Sequence, residues 1–564
     1  MEAERREKEA ELERLWNSKL QQKTIVKAKD DGEREPLLDQ IKERARRRID
    51  SKASSALKAA SDVPPAFNTE SYAPIDENPF IDVATDPRST FSIDVDTASY
   101  SIMRRYIERS QRPPKGAVRI EELINYFPYD DAVPVGDAPF AVRTDVTSAP
   151  WTPANRLVRI SLKGKSIDRA SRAGTNLVFL IDVSGSMESA NKLPLLKRSL
   201  GLLVNQLDAR DRVSIVVYAG ASGLVLPPTS GADKRTIMNA LDNLNAGGST
   251  NGGEGIELAY AQATRNFIEG GTNRVILATD GDFNVGVTDR SSLVDLIAQK
   301  AKSGVFLSVL GFGMGNYKDD TLESLAQRGN GNYAYVDDMS EARKVLVEQV
   351  MGTLVTIAKD VKIQVEWNPR LVQSFRLIGY ENRMLAHRDF NDDRKDAGDI
   401  GAGHSVTALY EVVIAGAKQD KPGTDPLKYQ SPGQVTDAGQ SNELVTVKLR
   451  YKEPNGATSR LLEVTAIDKG KTFAEASTDF RFAASVAAFG MILRSSPHKG
   501  NATMSQVVSL AEGSLGEDPG GHRRAFVELV RAAAKLPERS NGERDTQVRS
   551  PSRCDPADPL CTDL

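Results

Sequence analysis

The stretch Asn176-Leu177-Val178-Phe179-Leu180-Ile181-Asp182-Val183-Ser184-Gly185-Ser186 decides the fold. An unbroken apolar run leads straight into a carboxylate and two alternating hydroxyls. A strand that is apolar without alternation is buried on both faces, as in a parallel sheet covered by helices. Similar runs recur at Ile215-Val216-Val217, Val275-Ile276-Leu277 and Val305-Phe306-Leu307. Between them the apolar spacing lengthens to that of a helix. Leu193, Leu196, Leu200, Leu203 and Leu207 form one stripe; Ile256, Ala259, Ala263 and Phe267 form a second; Leu293, Leu296 and Ile297 begin a third. Strand and helix alternate from 176 to 355, which predicts a doubly wound, Rossmann-like α/β domain with a mainly parallel sheet over about residues 174–357. Its final helix is expected from Ser340 to Ala358.

On both sides of this domain the period becomes two. Val158, Ile160 and Leu162 alternate with Arg159, Ser161 and Lys163, so this strand is expected to bury one face. Val361, Ile363 and Val365 alternate with Lys362, Gln364 and Glu366, and Val445, Val447, Leu449 and Tyr451 repeat the pattern. The strands at 140–163 and 360–465 are therefore assigned to one β-rich domain, with the α/β domain inserted into it. Residues 76–173 form the N-terminal part, with a helix, a break at Pro113-Pro114, a second helix from Ile120 to Phe127, then strands. Residues 358–537 close with helices at Phe482–Leu493, Met504–Leu515 and Arg524–Leu536. Residues 1–75 read as a charged, solvated helix and an extended linker, and 538–564 as a disordered tail.

The chain has 564 residues and a net charge of −3, which gives no ground for nucleic acid as a partner. No apolar run is long enough to span a bilayer, and the N-terminal MEAERREKEAELERLW lacks the apolar core of a secretory signal. Read literally, the chain is cytoplasmic. Cys554 and Cys561 are the only cysteines; they read as solvated thiols, with a small disulfide loop as the alternative in an oxidising compartment.

In an open α/β sheet, ligands bind at the carboxyl ends of the strands. That is where Asp182-x-Ser184-x-Ser186 falls. Two more pieces reach the same edge: the loop Gly247-Gly248-Ser249-Thr250-Asn251-Gly252-Gly253, and Ala278-Thr279-Asp280-Gly281-Asp282. Carboxylates and hydroxyls suit a hard cation such as Mg²⁺, with Mn²⁺ or Ca²⁺ as alternatives. Few direct carboxylates leave such an ion electrophilic, ready for an Asp or Glu from another molecule.

In this order and spacing, DVSGSM, GGST and ATDGD resemble the metal-ion-dependent adhesion site of von Willebrand factor type A domains. The resemblance implies metal ligands at Asp182, Ser184, Ser186, Thr250 and Asp280, with one of the aspartates acting through water. It also implies a protein partner that presents an acidic residue, and a final helix that moves. STFSIDVDTASY, AVRIEELINYF, ATDGDFNVG and GAGHSVTALYE resemble the bacterial YfbK-like family over about residues 70–535. That resemblance implies the cell envelope, from which the missing signal and lipobox cysteine depart. The expected function is a metal-dependent protein-binding module and not an enzyme. The alternative is an adaptor for an AAA+ ATPase, and metal-assisted hydrolysis ranks below both.

Other motifs fail on spacing. Asp94-Val95-Asp96-Thr97 brings its threonine one residue early for a phosphatase nucleophile loop, and reads as a turn or helix cap. Asp280 to Gly286 misplaces the glycine of an EF-hand, leaving Asp282 and Asn284 to shape the rim of the metal site. Gly311-Phe312-Gly313-Met314-Gly315 lacks the third glycine of a dinucleotide loop and reads as a turn leaving the sheet. Asp392, Asp393, Asp396 and Asp399 read as a polar loop neutralised in part by Arg394 and Lys395. No phosphate loop and no histidine in a hydrolytic context occurs.

Overall fold

The computed structural model describes residues 70–219, 222–247, 252–281, 290–417, 436–454 and 456–537. All belong to one compact unit, Asn68–Leu564. The charged N-terminal segment, Thr250, Asp282, Asn284, Cys554, Cys561 and the tail lie outside the described residues.

The central sheet has six strands in the order Tyr333–Val336, Phe306–Phe312, Thr272–Thr279, Thr175–Asp182, Arg212–Tyr218, Ser222–Ser230. All neighbours are parallel except the last pair. The antiparallel member carries Pro227 and Pro228, which cannot donate to a ladder and suit an edge. Every residue of Thr175–Asp182 is buried, as the unbroken apolar run requires. Helices Leu193–Val204, Lys234–Asp242, Gly252–Arg265, Arg290–Ala301 and Asp319–Arg328 alternate with the strands. Within them, Leu193, Leu196, Leu200, Ile256, Ala259, Ala263, Leu293 and Ile297 are buried. Phe267 is not: it follows the second helix and is 43% exposed. The expected final helix is also broken. Met339–Arg343 passes into a π-turn, Lys344–Glu348, then Val350–Leu354, and Ala358 already lies in the strand Thr356–Trp367.

The flanking β domain is a two-sheet sandwich. One sheet runs Ile81–Asp82, Val372–Ile378, Ser405–Ile414, Arg156–Gly164, Phe140–Ser148; the other runs Gly398–Gly401, Thr356–Trp367, Glu443–Lys452, Arg460–Ile467, with Arg88–Ser92 also on Thr356–Trp367. Arg156–Gly164 precedes the α/β domain, yet pairs along its length with Ser405–Ile414, which follows it. The α/β domain is thus an insertion in the β domain. Entry and exit lie side by side: Gly164 N–H donates to His404 O at 2.8 Å and Ala402 N–H to Val355 O at 2.8 Å. Trp367, Phe375 and Tyr410 pack in the sandwich core.

Arg156–Gly164 does not bury one face only. Arg159 and Ser161 are buried too, because Asp131 accepts from Arg159 at 2.9 and 2.7 Å and from Ser161 Oγ at 3.0 Å. A second core lies beyond, where Ile120–Asn125 packs with the C-terminal helices Thr478–Arg494, Met504–Glu512 and His522–Ala533.

The two domains meet over buried charge. Arg383 donates to Asp94 at 3.1 Å and Asp96 at 3.0 Å, and Asp96 accepts the Tyr333 N–H at 2.7 Å. Arg119 pairs with Asp319 and Glu122. Asp94 also accepts the Asp96 N–H at 2.9 Å, so the Asp-x-Asp motif is a turn whose free oxygens clamp an arginine. Burial drives Glu122 up to about 7, although Arg119 opposes it. Burial with Glu381, Asp94 and Glu122 pushes Glu121 up to about 8.

Part of the N-terminal linker expected up to residue 75 is packed into the fold. Tyr72 is buried, and Glu70 accepts from Arg105, Tyr72 and Tyr106, each at 2.7 Å, and from Gly315 N–H at 2.8 Å. Burial favours the neutral acid, but Arg105 and these donors hold the Glu70 carboxyl below its usual value.

Candidate metal-dependent adhesion site

The first strand, Thr175–Asp182, has Arg212–Tyr218 on one side and Thr272–Thr279 on the other. Its carboxyl end is therefore the point where the strand order reverses and a crevice opens. Asp182 sits there and is fully buried. One of its oxygens accepts the Ser184 N–H at 2.9 Å, and the other accepts the Thr279 hydroxyl at 2.8 Å. The carboxylate is thus aimed by its own turn and by the neighbouring strand. Ser184 Oγ and Ser186 Oγ lie 3.0 Å apart. Met187, buried, fastens the turn from below, while Gly185 is exposed above it.

Asp280, also fully buried, ends the next strand. Its Oδ2 accepts from Lys192 Nζ at 2.8 Å and from Asn316 Nδ2 at 3.1 Å. Gly281 has φ +86°, a left-handed conformation that favours glycine, and its N–H donates to Thr279 Oγ1 at 3.0 Å. Thr279 thereby joins the two strand ends. Burial, then the nearby Asp280 charge, pushes Asp182 up to about 6.

The structure thus brings Asp182, Ser184, Ser186 and Asp280 to one sheet edge. Thr250 lies outside the described residues; Gly247, the last residue described before it, donates its N–H to Val183 O at 2.7 Å. The donors are oxygens alone, and burial beside the Asp280 charge raises the Asp182 carboxyl. Both facts fit a hard cation. Among the described residues no cluster of three or more His, Cys, Asp and Glu gathers for a metal.

Sequence reasoning missed Lys192, Thr279 and Asn316. A signal existed for Lys192: a cation at the start of an apolar helix opposes the macrodipole and needs a specific partner. Asn316 lay hidden in a segment read only as a turn. That turn is present, with Gly313 at φ +82° and Gly315 at φ +89°.

Residues 176–349 match the von Willebrand factor type A domain, 66–159 match a von Willebrand factor family, and 352–536 match the C-terminal region of the uncharacterized protein YfbK. The chain is 44% identical to YfbK of Escherichia coli K12 over 472 residues, covering 82% of this chain and 81% of that protein. The chain belongs to the YfbK family. An uncharacterized Synechocystis protein is 29% identical over 189 residues, 34% of this chain, and the match spans only 44% of that relative. Among solved structures, a von Willebrand factor type A protein from Catenulispora acidiphila matches 73% of this YfbK-family chain and 99% of its own, at 16% identity and a TM-score of 0.40. Type A domains mediate protein–protein interaction, and the YfbK-family chain carries one. No helix among the described residues is long and apolar enough to cross a membrane.

Proposed function

We propose that this protein is a metal-dependent protein-binding module and not an enzyme. Asp182, Ser184, Ser186, Thr250 and Asp280 would hold Mg²⁺, with Mn²⁺ or Ca²⁺ as substitutes. When bound, the ion supplies an electrophilic position for an Asp or Glu carboxylate of a partner protein. The observation that carries this reading is the Ser184–Ser186 hydroxyl pair, 3.0 Å apart beside buried Asp182. Thr279 and the Ser184 N–H hold that carboxylate in place before any ligand arrives.

The test is a pull-down from lysate with wild type and Thr250→Ala, each in Mg²⁺ and in EDTA. Thr250 is a neutral ligand, so its loss strands no charge. A partner retained only by wild type in Mg²⁺ is the expected result. A partner retained equally in all four lanes would overturn the proposal and move the interface to the β domain.

A further inference from the structure

We infer that Lys192 is a built-in counter-cation that lowers the site's affinity for its metal and strengthens its hold on a partner's carboxylate. This rests on the metal-site reading above and assigns to Lys192 a positioning role that acts through Asp280.

Lys192 is not an ordinary surface lysine. Its side chain is 8% exposed, against 0% for Asp280. Its ammonium lies 2.8 Å from Asp280 Oδ2 and 3.0 Å from Asn316 Oδ1, while Asn316 Nδ2 reaches the same Asp280 oxygen at 3.1 Å. The three groups close a ring in which each touches the other two. The aliphatic stem is fixed as well. A Cβ at Gly313 would stand 2.3 Å from Lys192 Cε and 2.7 Å from its Cγ, so the stem fills a slot that only glycine leaves open. The backbone is held at both ends, by Lys192 N–H to Ser189 O at 2.9 Å and by Leu196 N–H to Lys192 O at 2.8 Å. The ammonium is therefore a fixed charge. It also opposes the dipole of Leu193–Val204, a cost that the Asp280 pair offsets.

The charge count then separates two effects. Among the described residues of the site, Asp182 and Asp280 contribute two negative charges and Lys192 one positive. A divalent ion brings the group to a net of plus one with Lys192 and to zero without it. The ammonium repels the ion, which weakens metal binding. The same surplus attracts an incoming carboxylate, which strengthens partner binding. At the separations of a single site, in a partly buried environment, one unit charge changes an equilibrium by about tenfold or more. Both donors fall on Asp280 Oδ2, whereas Asp182 accepts from the Ser184 N–H and the Thr279 hydroxyl, which are uncharged.

The test uses the full chain with wild type, Lys192→Met and Lys192→Gln. Both variants remove the charge and keep a stem of similar length; Gln also keeps a hydrogen-bond donor to Asp280. Mn²⁺ alone is titrated by calorimetry. Acetate is then titrated into the Mn²⁺-saturated proteins, with broadening of its methyl NMR signal as the readout. Both variants are expected to bind Mn²⁺ about tenfold tighter and acetate about tenfold more weakly than wild type. A merely structural role predicts the reverse for the metal: Met weaker, Gln close to wild type. Variants that bind Mn²⁺ equally or more weakly would overturn the assignment of Lys192 and leave the metal site standing. A wild-type chain that takes up no Mn²⁺ would overturn both.

Discussion

Two places in this molecule bury several carboxylates together, and they solve the resulting charge problem in different ways. At the seam between the domains, Asp94, Asp96, Glu122, Asp319 and Glu323 surround Arg119 and Arg383, and buried Glu121 lies near Asp94 and Glu122. Guanidinium forks match carboxylates in geometry and stay charged at any working pH. What they leave uncompensated is met by protons, since Glu121 and Glu122 are raised to about 8 and about 7. At the sheet edge, Asp182 and Asp280 meet hydroxyls, an amide and a single lysine. The seam balances its charge from within. The sheet edge sets two buried carboxylates against one lysine, and on the proposed function a cation and a partner would complete the balance. Burial of acids is thus no functional signal by itself; the kind of neutraliser is.

The largest effect expected from this contrast is at the seam. Arg383→Met leaves Asp94 and Asp96 buried without their cation, and should destabilise the protein by about 3–5 kcal/mol in urea unfolding. The pH dependence is next. Burial raises Glu121 to about 8 in the folded protein, against an ordinary value of 4.5. Between those values the folded chain holds a proton that the unfolded chain has released. Stability should therefore fall as pH rises from about 4.5 to 8. Glu121→Gln should flatten that fall and add on the order of 2 kcal/mol at pH 8; an unchanged slope would remove Glu121 from the cause. The smallest change sharpens the comparison at the other cluster. Asp182→Asn should leave the unfolding free energy in EDTA unchanged or raised by about 1 kcal/mol, because it relieves a buried like-charge pair. It should also abolish the stabilisation by Mg²⁺, which for wild type reaches about 2.7 kcal/mol at a hundred times Kd. The same change at the seam, Asp319→Asn, should instead lower stability, since Arg119 loses one of its buried anions.

How far the sequence carried depended on the range of the interactions. The α/β alternation was legible because strands such as Leu177 to Ile181 declare burial on both faces within a few residues. Asp182, Ser184 and Ser186 were legible because one turn holds all three. Lys192 was not, because the carboxylate that explains it lies 88 positions away. The polar face of Arg156–Gly164 looked solvated because Asp131, which neutralises Arg159, stands outside the strand. Glu70 looked like linker because Arg105 and Gly315, its partners, are distant in sequence. The final helix over Ser340–Ala358 was misread for a different reason. Its apolar spacing is helical, but the backbone shifts to a wider turn at Lys344–Glu348, and the strand begins at Thr356.

The side-by-side entry and exit of the inserted domain have a mechanical consequence. Thr175 begins the central strand near Gly164 in the chain, and Asp182 ends it at the site. On the proposed function, a partner pulling on the site would draw tension along this strand toward its connection with the β domain. Parallel neighbours flank the strand on both sides. Under that pull the ladder hydrogen bonds are sheared together, and cannot be peeled apart one at a time. An anchor at the far end of the strand that carries the ligand makes the domain resist tension in the direction from which a bound partner would apply it.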